Sequence, residues 1–195
     1  LANLEASKLV NADLRRVDFA GCHLAACDFT GANLFRARFT GKDLRGCTFE
    51  RCNLGGAVLS DCRCAGVNFR CAQMVNTSLR KVDLTGADCS GAFLRDAKFD
   101  GTTIAGVKFI EAQFVDHDFS EMDRQGVDFT GANLEGARFS EASMRDANFD
   151  CAKLARVSFE GMSLEGMSFR GADFDRASFV GANLSGADLE RAKVA

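Results

Sequence analysis

The chain repeats every five residues from one end to the other. Cut from Leu1, its 195 residues fall into 39 blocks without insertion or deletion. Residues 126–140, GVDFT-GANLE-GARFS, display the unit: a small residue second, a short polar residue third, and Leu or Phe fourth. The fourth position is apolar in every block except that of Arg124, and 18 of the 19 glycines stand first. Self-similarity this complete defines a solenoid, in which no repeat buries its apolar face until its neighbours stack on it.

A period of five matches neither the 3.6 of a helix nor simple strand alternation. It matches a short extended side followed by a corner. Residues two and four of a block point the same way, as on a strand, and the first residue turns the chain. Glycine suits that corner because it reaches positive φ freely. Where Arg, Asp, Glu or Asn replaces it, a different turn is expected, so the corners should be mixed. The phenylalanines count the sides. With blocks numbered cyclically in fours, side two stacks Phe29, Phe49, Phe69, Phe109, Phe129, Phe149 and Phe169. Side four stacks Phe19, Phe39, Phe99, Phe119, Phe139, Phe159 and Phe179. Only Phe114 and Phe174 occupy the inward position of side three, and side one has none. Alternation every ten residues predicts four sides and 20 residues per coil. Parallel coils roughly 4.8 Å apart then give a rod roughly 47 Å long. Right-handed coiling follows from the preference of parallel connections.

The charged fraction of 26% and apolar fraction of 47% are those of a folded domain, expected to be a single solenoid over residues 1–195. No apolar run of 18 residues is present, so no membrane association is expected. Leu1 opens inside the repeat without Met or leader, which suggests a piece of a longer chain. Of nine cysteines, Cys22, Cys27, Cys47, Cys52 and Cys62 hold the small second position, and Cys64 and Cys89 the large fourth. Cys71 and Cys151 replace the corner glycine. Thiols buried in this way behave as small hydrophobes, and the spacing is not that of a zinc site. A reducing, cytoplasmic compartment is the expected address.

Blocks such as GANLF, GANLE, GADFD, GANLS and GADLE match A(D/N)LXX residue by residue. The chain thus resembles the pentapeptide-repeat family over essentially its whole length. The resemblance implies an all-β fold, a right-handed quadrilateral parallel β-helix of about ten four-sided coils. It also implies a non-catalytic protein-binding scaffold. Quinolone-resistance members imitate the width and charge of duplex DNA and dock on a type II topoisomerase such as DNA gyrase. A structural adaptor cut from a multidomain protein, for example a secretion-associated one, is the alternative.

Departures from the repeat mark candidate sites. Lys42 occupies a small inward position, read either as a distorted corner with a snorkelling stem or as a functional lysine. His117 and Met122 fill successive small positions, and Arg124 a large core one. Arg124 either turns out through a bulge or pairs with Asp123 or Glu121, because an unpaired buried guanidinium is too costly. Phe35, Val75, Phe93 and Val115 fall on side three with Ile110 around the corner, a candidate contact for a partner or second copy. Residues 1–95 hold 13 basic and 9 acidic side chains, a net of +4, and residues 96–195 hold 11 and 18, a net of −7. Asp128, Asp146, Asp150, Asp188 and Glu190 represent the acidic surface. With no basic stripe, nucleic acid is not an expected direct ligand. No nucleophile–base set, metal-ligand set or phosphate loop appears, and no cofactor or cleft is expected in a rod filled by side chains. Unblocked terminal coils predict a homo-oligomer through the coil ends.

Overall fold

The computed structural model describes residues 2–120, 126–140 and 146–194. The first coil stacks on the second through parallel strands β1 (Ala2–Asn3) and β2 (Cys22–His23), with Ala2 opposite Cys22. Beyond them, parallel bridges join third-position residues 20 apart, such as Asn33 to Asn53, Asn53 to Gln73 and Asn133 to Lys153. The coil therefore has 20 residues and four sides, as the phenylalanine spacing predicts.

The hydrogen bonds explain why each block position has its composition. The third-position N–H donates back one coil, as Asp28 N does to Ser7 O. The fourth donates forward, as Phe29 N does to Thr48 O. The first also donates forward (Gly31 N to Glu50 O), and the second closes the corner (Ala32 N to Phe29 O). The fifth N–H remains, and the third-position side chain takes it: Thr30 N donates to Asp28 Oδ1 at 2.9 Å and Gly55 N to Asn53 Oδ1 at 3.1 Å. A short Asp or Asn is favoured there because it satisfies a donor that no backbone carbonyl reaches.

The corners are not mixed. At 17 glycines and at 18 non-glycine block-initial residues, φ is positive and spans 53° to 78°. Arg16, Asp61 and Glu111 thus adopt the glycine geometry. With the 4→2 hydrogen bond closed, this is the type II turn. Side-chain identity yields to stacking: most corner N–H groups donate to the next coil, as Arg16 N does to Phe35 O and Asp61 N to Arg80 O. At two corners a side chain would also have to displace the end of a neighbouring one. A Cβ on Gly31 would lie 2.2 Å from Asn11 Oδ1, and one on Gly136 2.1 Å from Asp116 Oδ1.

Fourth-position side chains from Phe19 to Phe174 are buried among the described residues. Phe29 stacks on Phe49 at 4.9 Å and Phe49 on Phe69 at 5.2 Å. Rings from the opposite side meet these edge-on, as Phe29 meets Phe39 at 5.9 Å. Herringbone contact of this type adds to the gain from area burial alone. At the ends, Leu4, Leu9, Leu184 and Leu189 are only partly covered.

Candidate functional site

With the interior filled by phenylalanine, the surfaces carry whatever the rod recognises. Of the five apolar residues expected to form a contact, only Phe93 is clearly exposed, at 43%. Val75, Ile110 and Val115 are half-buried. Phe35 is not a free anchor. Its ring lies over Gly55, where an added Cβ would sit 3.2 Å from Cδ2, and the Arg36 guanidinium stands 5.1 Å from the ring centroid. Gly55, the one glycine outside a corner, was the sequence signal for this covered ring.

The corner at Lys42 is not distorted, with Gly41 at the common φ of 71°, and the ammonium ends on backbone carbonyls. Lys42 donates from Nζ to the carbonyls of Ala20 and Cys22, ending on the coil beneath. It lines an open groove of about 840 Å³ with His23, Asp43 and Arg45. A second groove of about 710 Å³ runs past Arg95, Lys98, Asp116 and His117, so shallow surface depressions exist where none was expected. The His117 ring packs 4.6 Å from Phe119, 5.2 Å from Phe99 and 5.4 Å from Phe114, serving as an aromatic spacer in the side-four stack. Met122 and Arg124 lie outside the described residues.

All five acidic residues singled out above belong to side two. Asp128 accepts from Thr130 N and Oγ1 at 3.0 and 2.6 Å, and Asp150 from Ser168 Oγ and Arg170 N at 2.5 and 2.9 Å. Arg170 pairs with Asp188 at 2.9 Å and with Glu190. The donated Glu190 N–H, then the Arg170 guanidinium, hold the Asp188 carboxyl below its usual range. Asp28, five coils earlier in the same column as Asp128, is lowered by the hydroxyl and N–H of Thr30. Asp146 occupies a corner at φ 61°. The side therefore presents a series of carboxylates, several held by hydrogen bonds from their own turn or the next coil, interrupted by Arg170.

The inward thiols donate to carbonyls 23 residues back: Cys47 Sγ to Leu24 O at 2.9 Å, Cys52 to Phe29 O at 2.7 Å and Cys62 to Phe39 O at 3.0 Å. Thr77 and Thr102 hydroxyls make the same bond. Burial pushes Cys47 and Cys62 up to about 11 and Cys52 to about 12. Only Cys71 and Cys151 are exposed. Since the thiolate is the reactive form, a native-state titration with an aromatic disulfide reagent is expected to consume two thiols per chain rapidly. The remainder should react on unfolding; rapid native labelling of all nine would contradict the burial.

Family models corroborate the geometry. One described as "Pentapeptide repeat region" matches residues 35–109, 72–149 and 104–169, and one described as "Pentapeptide repeats (8 copies)" matches 1–34, 12–51 and 152–191. Among solved structures, the chain is similar to HetL, a pentapeptide repeat protein involved in heterocyst differentiation regulation from Nostoc sp. strain PCC 7120. The identity is 25%, covering 98% of this chain and 82% of that one, with a TM-score of 0.51. Full-length QnrB1, a plasmid-mediated fluoroquinolone resistance protein, shares the fold at 19% identity, covering 100% and 92%, with a TM-score of 0.50. No curated protein sequence matches the chain. The chain belongs to the pentapeptide-repeat family, and its fold is the right-handed quadrilateral parallel β-helix.

Proposed function

We propose that the rod is a non-catalytic protein-binding scaffold that presents the carboxylates of side two to a basic protein surface. The carrying observation is the gathering of Asp128, Asp146, Asp150, Asp188 and Glu190 on that side, in the half of net charge −7. Turn N–H groups orient Asp128 and Asp188, and the Ser168 hydroxyl of the next coil orients Asp150, before any partner arrives, which reduces the ordering cost of binding. A partner evolved to hold duplex DNA offers the complementary cationic groove, and a type II topoisomerase such as DNA gyrase is the specific candidate. Supercoiling by purified gyrase, with and without a fluoroquinolone, should respond to the rod. The response should weaken in Asp150→Asn/Asp188→Asn/Glu190→Gln. An equal response from the triple variant would remove side two from the reading, and no response from the native rod would remove gyrase.

A structural adaptor is the second reading, favoured by the uniform turn geometry of the corners. It predicts no effect on gyrase at any concentration.

A further inference from the structure

Side three differs from the other sides in charge. In coils two to seven (residues 21–140), its outward third and fifth positions include only two charged residues of twelve, Arg95 and Glu135. Side one has five of twelve, and sides two and four six each. Glu135 is itself paired with Arg156 at 3.1 Å. Depletion of charge around an aromatic is the composition of an interface core, and exposed Phe93 lies at the centre.

The side is also symmetric along the rod. Its bridged third-position column reads Asn53, Gln73, Phe93, Gln113, Asn133, the same in both directions. The neighbouring column reads Gly55, Val75, Arg95, Val115, Glu135, symmetric over its central three residues. Beneath both, the inward second position is Ala in every coil except at Cys52, so the side is uniform in depth. An isologous interface requires one patch to complement itself, residue i meeting j while j meets i. About an antiparallel two-fold at its centre, a palindromic column sets each residue against its own kind, Asn on Asn and Gln on Gln.

We propose that side three binds a second copy of this chain, antiparallel, about a two-fold axis crossing both rods at Phe93. Phe93 then meets Phe93 of the second copy, and Gln73 meets Gln113. Asn53 meets Asn133, and Val75 meets Val115. The carboxamides carry both donors and acceptors, so each facing pair is self-complementary; Asn133 Nδ2 already donates to Gln113 Oε1 along the column at 3.2 Å. Arg95 faces its own copy at the axis but stands beside Asp96 at 3.8 Å, and each guanidinium reaches the opposite Asp96. The axis falls near the boundary between the +4 and −7 halves, so antiparallel pairing lays each basic half on an acidic one. A strip of these six coils, roughly 29 Å long and 10–15 Å wide, buries on the order of 700 Å² in total, the low end for a weak, reversible dimer.

Sedimentation over a concentration series should show a reversible dimer with a dissociation constant on the order of 10–100 μM at low salt. Raising the salt should weaken it, since the facing halves are opposite in charge. Phe93→Glu, at a position that carries no core packing, should weaken the dimer at least tenfold with unchanged circular dichroism. Orientation is read by oxidation in a Cys71→Ser/Cys151→Ser background. An equal mixture of Gln73→Cys and Gln113→Cys should give the mixed disulfide, and neither variant alone should cross-link efficiently. A strictly monomeric rod, a dimer indifferent to Phe93→Glu, or self-linking of Gln73→Cys alone would each overturn the proposal. Indifference would assign association to another surface, such as the coil ends, and self-linking would assign parallel rods.

Discussion

Replacing Phe129 with Ala is expected to destabilise the rod by about 3–5 kcal/mol, the range for removing a buried aromatic ring. Phe129 is fully buried. It stacks between Phe109 at 5.6 Å and Phe149 at 5.4 Å, each within 15° of parallel. Phe119 and Phe139 close the same space edge-on from the opposite side, at 5.4 and 6.5 Å. The backbone cannot collapse into the cavity, because Phe129 N donates to Asn148 O and Ala132 N donates to Phe129 O, tying that side to the next coil and corner. Thermal or denaturant unfolding reads the loss. Phe93→Ala is the control: it removes the same ring from the surface, where effects usually stay within about 0.5 kcal/mol. Equal losses from the two variants would mean that inside and outside have been assigned wrongly.

The fold was legible because its cause is a one-dimensional pattern. Fourteen phenylalanines alternate every ten residues, and only a coil of 20 stacks them ring on ring. The corners were misread because propensity was weighed one residue at a time. An L-residue in the left-handed region costs about 1–2 kcal/mol, an argument for relaxing Arg36 or Asp96 into another turn. Yet the Arg36 N–H reaches Gly55 O at 2.9 Å and Ala37 N closes on Leu34 O at 2.9 Å. A different turn would leave such donors unpaired and shift the register of every following coil. Surface chemistry was legible wherever positions 20 apart could be compared. That comparison gathers Asp128 and Asp188 in one column and Asp150, Arg170 and Glu190 in the next, whereas the reach of Arg170 across to Asp188 emerges only from the structure. The same comparison pairs Phe35 with Gly55, one coil later, the glycine whose missing side chain lets the Phe35 ring fold down onto the surface.

Gly131→Pro is expected to cost about 3 kcal/mol or more, while Ala155→Pro is expected to be neutral or stabilising by up to about 1 kcal/mol. The chain contains no proline, and the hydrogen-bond scheme says why four of the five block positions reject it. Gly131 combines both objections. Its φ of 66° is opposite in sign to the roughly −65° that the pyrrolidine ring imposes, and its N–H donates to Asp150 O at 2.8 Å. Loss of that bond breaks the link between two coils at a corner where Gly131 also leaves little room beside Glu111 Cγ, 3.3 Å from an added Cβ. Ala155 stands at the fifth position, the second residue of the turn closed by Val157 N on Leu154 O, with Arg156 next at φ 61°. That is the position where type II turns favour proline. Its block has Lys153 third, which offers no side-chain acceptor for the fifth N–H, so proline forfeits no side-chain cap. The ring instead restricts the unfolded chain. The unfolding free energies of the two variants should differ by at least about 3 kcal/mol. Similar losses would show that the fifth-position N–H is held as firmly as the corner one, and that the account of why Asp and Asn recur at the third position is incomplete.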